Sequence, residues 1–103
     1  MRYQLILQFR GSSLEDYDAM ISLEEDLISD LGVNARVDGH DLGSGEANIF
    51  IFTADPRQTF CRAMPALDRC GRLQNVKAAF REVGSELLTV IWPEGVSEKF
   101  TIA

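Results

Sequence analysis

A single histidine, His40, stands in a stretch that also holds Asp38, Glu46 and Asn48, and chemistry would be sought there first. Imidazole and carboxylate suit zinc or iron, but one histidine with no neighbouring cysteine is a thin ligand set. His40 assisted by a carboxylate has the makings of a general base, yet no serine, cysteine or lysine is placed beside it as a nucleophile. Cys61 and Cys70 fall nine positions apart in a segment that reads as helix. A straight helix would hold them about 13 Å apart on opposite sides, beyond the roughly 7 Å between Cα atoms that a disulfide tolerates. They read as two buried or half-buried thiols in a reducing compartment. No catalytic residue, no metal site and no cofactor is therefore expected.

The elements that must position these residues follow from periodicity. Tyr3, Leu5, Leu7 and Phe9 alternate with Gln4, Ile6, Gln8 and Arg10, the period of a half-buried strand. Gly11 breaks it, and Ser12 or Ser13, with Asp16 following, offers a helix cap. Leu14, Tyr17, Met20, Ile21, Leu27, Ile28 and Leu31 recur at helical steps and predict one apolar stripe ending at Gly32. Two strands then alternate through Ala35, Val37, Ala47, Ile49 and Ile51, separated by Gly43-Ser44-Gly45, which suits a hairpin. Asp55-Pro56 starts a second helix with Phe60, Ala63, Met64 and Leu67 buried, ending at Gly71, with a kink or break expected near Pro65. Val76, Ala78 and Phe80 begin a last hairpin that turns at Gly84-Ser85 and returns as Glu86 to Trp92, and Pro93 opens a tail.

The order β-α-β-β-α-β resembles the ferredoxin-like split βαβ arrangement. The expectation is one α+β domain over residues 1–103, with 93–103 as a flexible tail. Two helices would lie on one face of a four- or five-stranded antiparallel sheet that includes an added C-terminal strand. The stretch Asp38-Gly39-His40-Asp41 through Gly45-Glu46 and Asn48-Ile49-Phe50-Ile51 also looks like small uncharacterised bacterial proteins of this size, a resemblance that implies no activity.

A hairpin centred on Ser44 sets Leu42 opposite Glu46, His40 opposite Asn48 and Asp38 opposite Phe50. With Val37, Ile49 and Ile51 under the helices, the opposite face would display Asp38, His40, Glu46, Asn48, Phe50 and Phe52 beside Gln4, Ile6, Gln8 and Arg10. Such a face is too polar for a core and too aromatic for idle solvent. The reading favoured is contact with a second copy, the last hairpin or a partner chain, with the polar residues hydrogen-bonded at its rim. The alternatives are an obligate homodimer with a structural role, and a small-molecule sensor or minor enzyme that binds its ligand with Arg10, Asp38, His40, Glu46 and Asn48. Phe50 and Phe52 resemble the stacking aromatics of an RNA recognition motif, but strand one lacks an aromatic at the matching place and the basic residues are missing.

Charge argues the same way. Ten Lys plus Arg against sixteen Asp plus Glu give a net charge of −6, which opposes phosphate binding and excludes nucleic acid as the natural partner. No apolar run reaches the roughly 18 residues of a membrane span, and Met1-Arg2 leads into a strand, so the expected address is cytoplasmic with no membrane partner. The excess is concentrated: Glu15, Asp16, Asp18, Glu24, Glu25, Asp26 and Asp30 fall between Ser13 and Leu31 with no lysine or arginine among them. Residues 55–72, in the neighbouring helix, carry Arg57, Arg62, Arg69 and Arg72, so part of the asymmetry is expected to be settled inside the molecule. The acids otherwise form a solvated face or a docking surface for a basic protein through Glu15, Asp18, Glu25 and Asp26, while Phe50 and Phe52 on the opposite sheet face are the other candidate partner-binding residues. Small size, acidity and the lack of catalytic residues make the chain similar in general terms to bacterial immunity proteins and antitoxins. The expected function is a non-enzymatic protein-binding module.

Overall fold

A computed structural model describes residues 2–10, 14–43 and 45–93, without the side chains of 14–16, 34, 42 and 43. Strand β1 (Tyr3–Arg10) leads to helix α1 (Leu14–Leu31), a single 3₁₀ turn (Gly32–Asn34), strands β2 (Ala35–Gly43) and β3 (Glu46–Thr53), helix α2 (Pro56–Arg69), and strands β4 (Lys77–Glu82) and β5 (Thr89–Trp92). The sheet runs β2-β3-β1-β4-β5, and every neighbouring pair is antiparallel. This is the ferredoxin-like α+β arrangement with a fifth strand added beside β4. The proposed caps at Ser12 and Ser13, and the tail from residue 94 onward, lie outside the described residues.

Strand β1 is central, and its alternation sorts the core. Leu5, Leu7 and Phe9 point under the helices and are buried, where they meet Ile49 and Ile51 of β3 and Ala78 of β4. Helix α1 covers them with Met20, Leu23, Leu27 and Leu31. That stripe is rotated from the expected one: Leu23 is buried, whereas Ile28 is 59% exposed. The steps of three and four residues through Met20, Leu23, Leu27 and Leu31 keep one continuous line on the sheet, and Ile28 falls off it.

Helix α2 opens as its sequence dictates. The Asp55 carboxylate accepts from the Gln58 N–H at 3.1 Å, and Pro56 stands where its missing donor costs nothing. The break expected near Pro65 does not occur, since α2 runs unbroken to Arg69. Pro65 and Cys61 are exposed, so the carbonyl deprived of its bond lies on the solvent side, while buried Ala63, Ala66 and Leu67 anchor the other side to the sheet.

The last hairpin is shorter than its sequence pattern. Strand β5 starts at Thr89, and Glu86 to Leu88 stay out of the ladder, with Leu87 84% exposed. A local bond explains part of this: the Ser85 hydroxyl accepts from the Leu87 N–H at 3.1 Å, drawing that donor away from strand pairing. No helix among the described residues is long and apolar enough to cross a membrane.

Candidate functional site

The register of β2 against β3 decides where His40 goes. Ala35, Arg36 and Val37 oppose Thr53, Phe52 and Ile51, as a hairpin centred on Ser44 requires. Beyond a bulge at Asp38 the register moves by one residue, so that Gly39 opposes Phe50, His40 opposes Ile49 and Gly43 opposes Glu46. Gly39 sits at φ +151°, a conformation open almost only to glycine, and its lack of a side chain permits the extra residue. The bulge inverts the parity of everything between it and the turn. His40 therefore lies on the helix side of the sheet, not on the face expected for it, and Asp41 takes its place opposite Asn48.

There His40 Nδ1 donates to Glu24 Oε1 at 2.6 Å, and the Tyr17 ring meets the imidazole edge-on with centroids 5.7 Å apart. Glu24 is 9% exposed, on the flank of the buried stripe of α1. In the sequence Glu24 reads only as one more acid of the helix surface. Two signals pointed to its role: a glycine inside a strand pattern marks a bulge, and Glu24 follows Met20 by four and precedes Leu27 by three. A carboxylate on Nδ1 fixes the ring and leaves Nε2 as the remaining ring nitrogen, a feature shared with oriented general bases. Among the described residues, however, the polar and aromatic partners shown for the ring are Glu24 and Tyr17, neither of them placed as a nucleophile, and no three His, Cys, Asp or Glu side chains gather to hold a metal. What the pair does visibly is clip the outermost strand, β2, to α1.

The remaining members of the expected cluster are dispersed. Asp38, at the bulge, is exposed and accepts from Arg36 Nη2 at 3.3 Å, and the Arg36 guanidinium lies over the Phe52 ring at 5.3 Å. Asn48 is 1% exposed and accepts from Gln8 Nε2 at 3.1 Å. The helix-free face is thus closed at its centre. Ile6 lies between Phe50 and Ala79 with no exposure, and Phe50 and Phe52 are half-buried.

Arg10 and Glu46 do meet. They oppose one another where β1 ends and β3 begins, and β4 begins on the other side of β1, so the sheet order brings Lys77 and the preceding connection to the same rim. A cavity of about 410 Å³ opens there, lined by Gln8, Phe9, Arg10, Glu46, Arg72, Asn75 and Lys77. Arg72, Asn75 and Lys77 were missed in the sequence because they are remote from Arg10 along the chain. The antiparallel order alone predicts that the end of β1 adjoins the starts of both β3 and β4.

The acids of α1 divide into two groups. Asp30 Oδ2 accepts from Arg69 Nη2 of α2 at 2.6 Å, and this hydrogen bond, followed by the charge of Asp30, raises the Arg69 guanidinium above its ordinary pKa. Glu24 is taken by His40. Asp18, Glu25 and Asp26 are exposed, and the Glu15 side chain lies outside the described residues. Phe50 and Phe52 point to the sheet face away from α1, so the acids and the aromatics lie on two different sides of the molecule. Cys61 and Cys70 are free and exposed rather than buried.

No family model matches the chain, and no curated protein matches its sequence.

Proposed function

We propose that the chain is a small non-enzymatic binding module, regulatory or immunity-like in kind, that docks a basic protein on the outward side of α1. The observation that carries this reading is the division of the α1 acids. Glu24 and Asp30 are satisfied within the molecule, while Asp18, Glu25 and Asp26 are exposed on a helix that has no lysine or arginine of its own, the charge of Asp26 being felt in lesser degree than that of Asp30 by Arg69 of α2. The exposed acids contribute nothing visible to packing. Like charge gathered on one helix favours a cationic partner over a neutral or acidic one. At physiological salt the Debye length is about 8 Å, so such a surface acts on what touches it, setting encounter rate and partner choice more than raw affinity. The exposed thiols Cys61 and Cys70 fit a reducing compartment and support the cytoplasm as its setting.

The test is a titration of the isotope-labelled protein with a lysine-rich peptide, followed by amide chemical shifts. Shifts concentrated between Tyr17 and Asp30 that fade as salt is raised support the reading. Shifts spread evenly over the surface, or none, overturn it.

A further inference from the structure

We propose that the cavity at the rim of β1, β3 and β4 is a binding site for a small organic dianion, a phosphate monoester or a dicarboxylate. The proposal stands apart from the docking role of α1 and does not depend on it. Of the ten lysines and arginines in the chain, three line this one cavity: Arg10, Arg72 and Lys77. They face a single acid, Glu46, so the lining is locally cationic in a protein whose net charge is −6. Screening confines that potential to the near neighbourhood, and the local cations rather than the distant acids of α1 decide what binds.

Shape and donor chemistry agree with the charge. A volume of about 410 Å³ lies within the range that holds small ligands, and the amides of Gln8 and Asn75 add hydrogen-bonding groups to the lining. Two guanidinium groups can each present paired N–H donors to a carboxylate or phosphate, while Lys77 supplies a point charge. The cavity floor has fixed support: Gln8 is hydrogen-bonded to buried Asn48, which holds the end of β1 against β3. Although Arg10 and Glu46 are cross-strand partners, the described ion pairs do not include them, so Arg10 is not committed to that carboxylate. Gln8, Arg72 and Lys77 are already engaged by other groups, so a ligand exchanges contacts with them rather than filling idle ones. This favours modest affinity and selection for two negative charges over one, since a monoanion offers too little in return.

The experiment is calorimetric titration of the full chain with inorganic phosphate and, separately, succinate, with acetate as the monoanion. Saturable binding of at least one dianion with a Kd of about 1 mM or tighter, and none of acetate, is expected. Arg10→Gln and Lys77→Gln should each weaken it about tenfold, while Arg57→Gln, at the opposite end of β1 beside Phe80, leaves it unchanged. Thermal melts show whether each variant is folded, and exposed Arg10 can be replaced without touching the core. Preference for phosphate or for succinate names the ligand's head group. The proposal is overturned if neither dianion saturates, if acetate binds equally well, or if folded Arg10→Gln and Lys77→Gln proteins bind as the parent does.

Discussion

Glu24 of α1 and His40 of β2 meet at 2.6 Å across the helix-sheet boundary, the carboxylate 9% exposed and the imidazole at the edge of Tyr17. Removing His40 leaves the nearly buried Glu24 carboxylate without its bond, and removing Glu24 leaves a half-buried imidazole without its acceptor, changes that cost about 1–3 kcal/mol. Glu24→Ala and His40→Ala should each destabilise by that order in urea unfolding. The double variant should be less destabilised than the sum, with a coupling near 1 kcal/mol. Full additivity would show that the contact does not hold β2 to α1.

Gly39→Ala isolates the bulge. No atom lies within 4 Å of the place a Cβ would occupy, so the change meets no steric obstacle, and any loss comes from the backbone at φ +151°. A loss of about 1–3 kcal/mol is expected. Because His40 faces inward only through the bulge, its amide and ring signals should move in the same variant. A stability equal to that of the parent would contradict the bulge.

Gln8 and Asn48 form a buried amide pair on the helix-free face. Gln8→Leu or Asn48→Leu alone should cost about 1–3 kcal/mol by stranding the other amide, and the double change to leucine should recover part of that. A double variant worse than both single ones would mean that the pair packs rather than bonds.

Arg69 and Asp30 give a charge effect with a definite sign. The Arg69 pKa is raised on folding, so its contribution is present at every pH below the unfolded arginine value and lost only in strong alkali. Both groups are solvated, and exposed pairs of this kind are screened by salt. Arg69→Gln should therefore lower the melting temperature slightly at low salt, equally at pH 6 and pH 9, with the difference vanishing at high salt. A loss that persists in high salt would show that Arg69 acts through packing.

Much of this architecture was legible in the sequence because the patterns there are local. Alternation in Tyr3 to Arg10, the Asp55-Pro56 start and the glycine after Leu31 each report on their immediate neighbours, and the element order they define, with right-handed crossovers, puts both helices on one face. The candidate site was less legible because strand parity is a cumulative count. One inserted residue at Asp38-Gly39 leaves Val37 correctly placed and reverses His40, scattering a cluster that depended on both. Ile28 and Leu23 exchange roles for a similar reason: helical spacing admits two overlapping stripes, and contact with Leu5, Leu7 and Ile49 selects one. Arg72 and Lys77 meet Arg10 only through the order of the strands, a relation no short window contains.

The docking role of α1 is tested most directly by repeating the lysine-rich peptide titration on a variant with Asp18→Asn, Glu25→Gln and Asp26→Asn together. These side chains are exposed, so the fold should be kept. Binding that falls by tenfold or more, with the α1 shifts gone, is the result the account predicts. Binding retained at the parent's strength in the folded variant would contradict it.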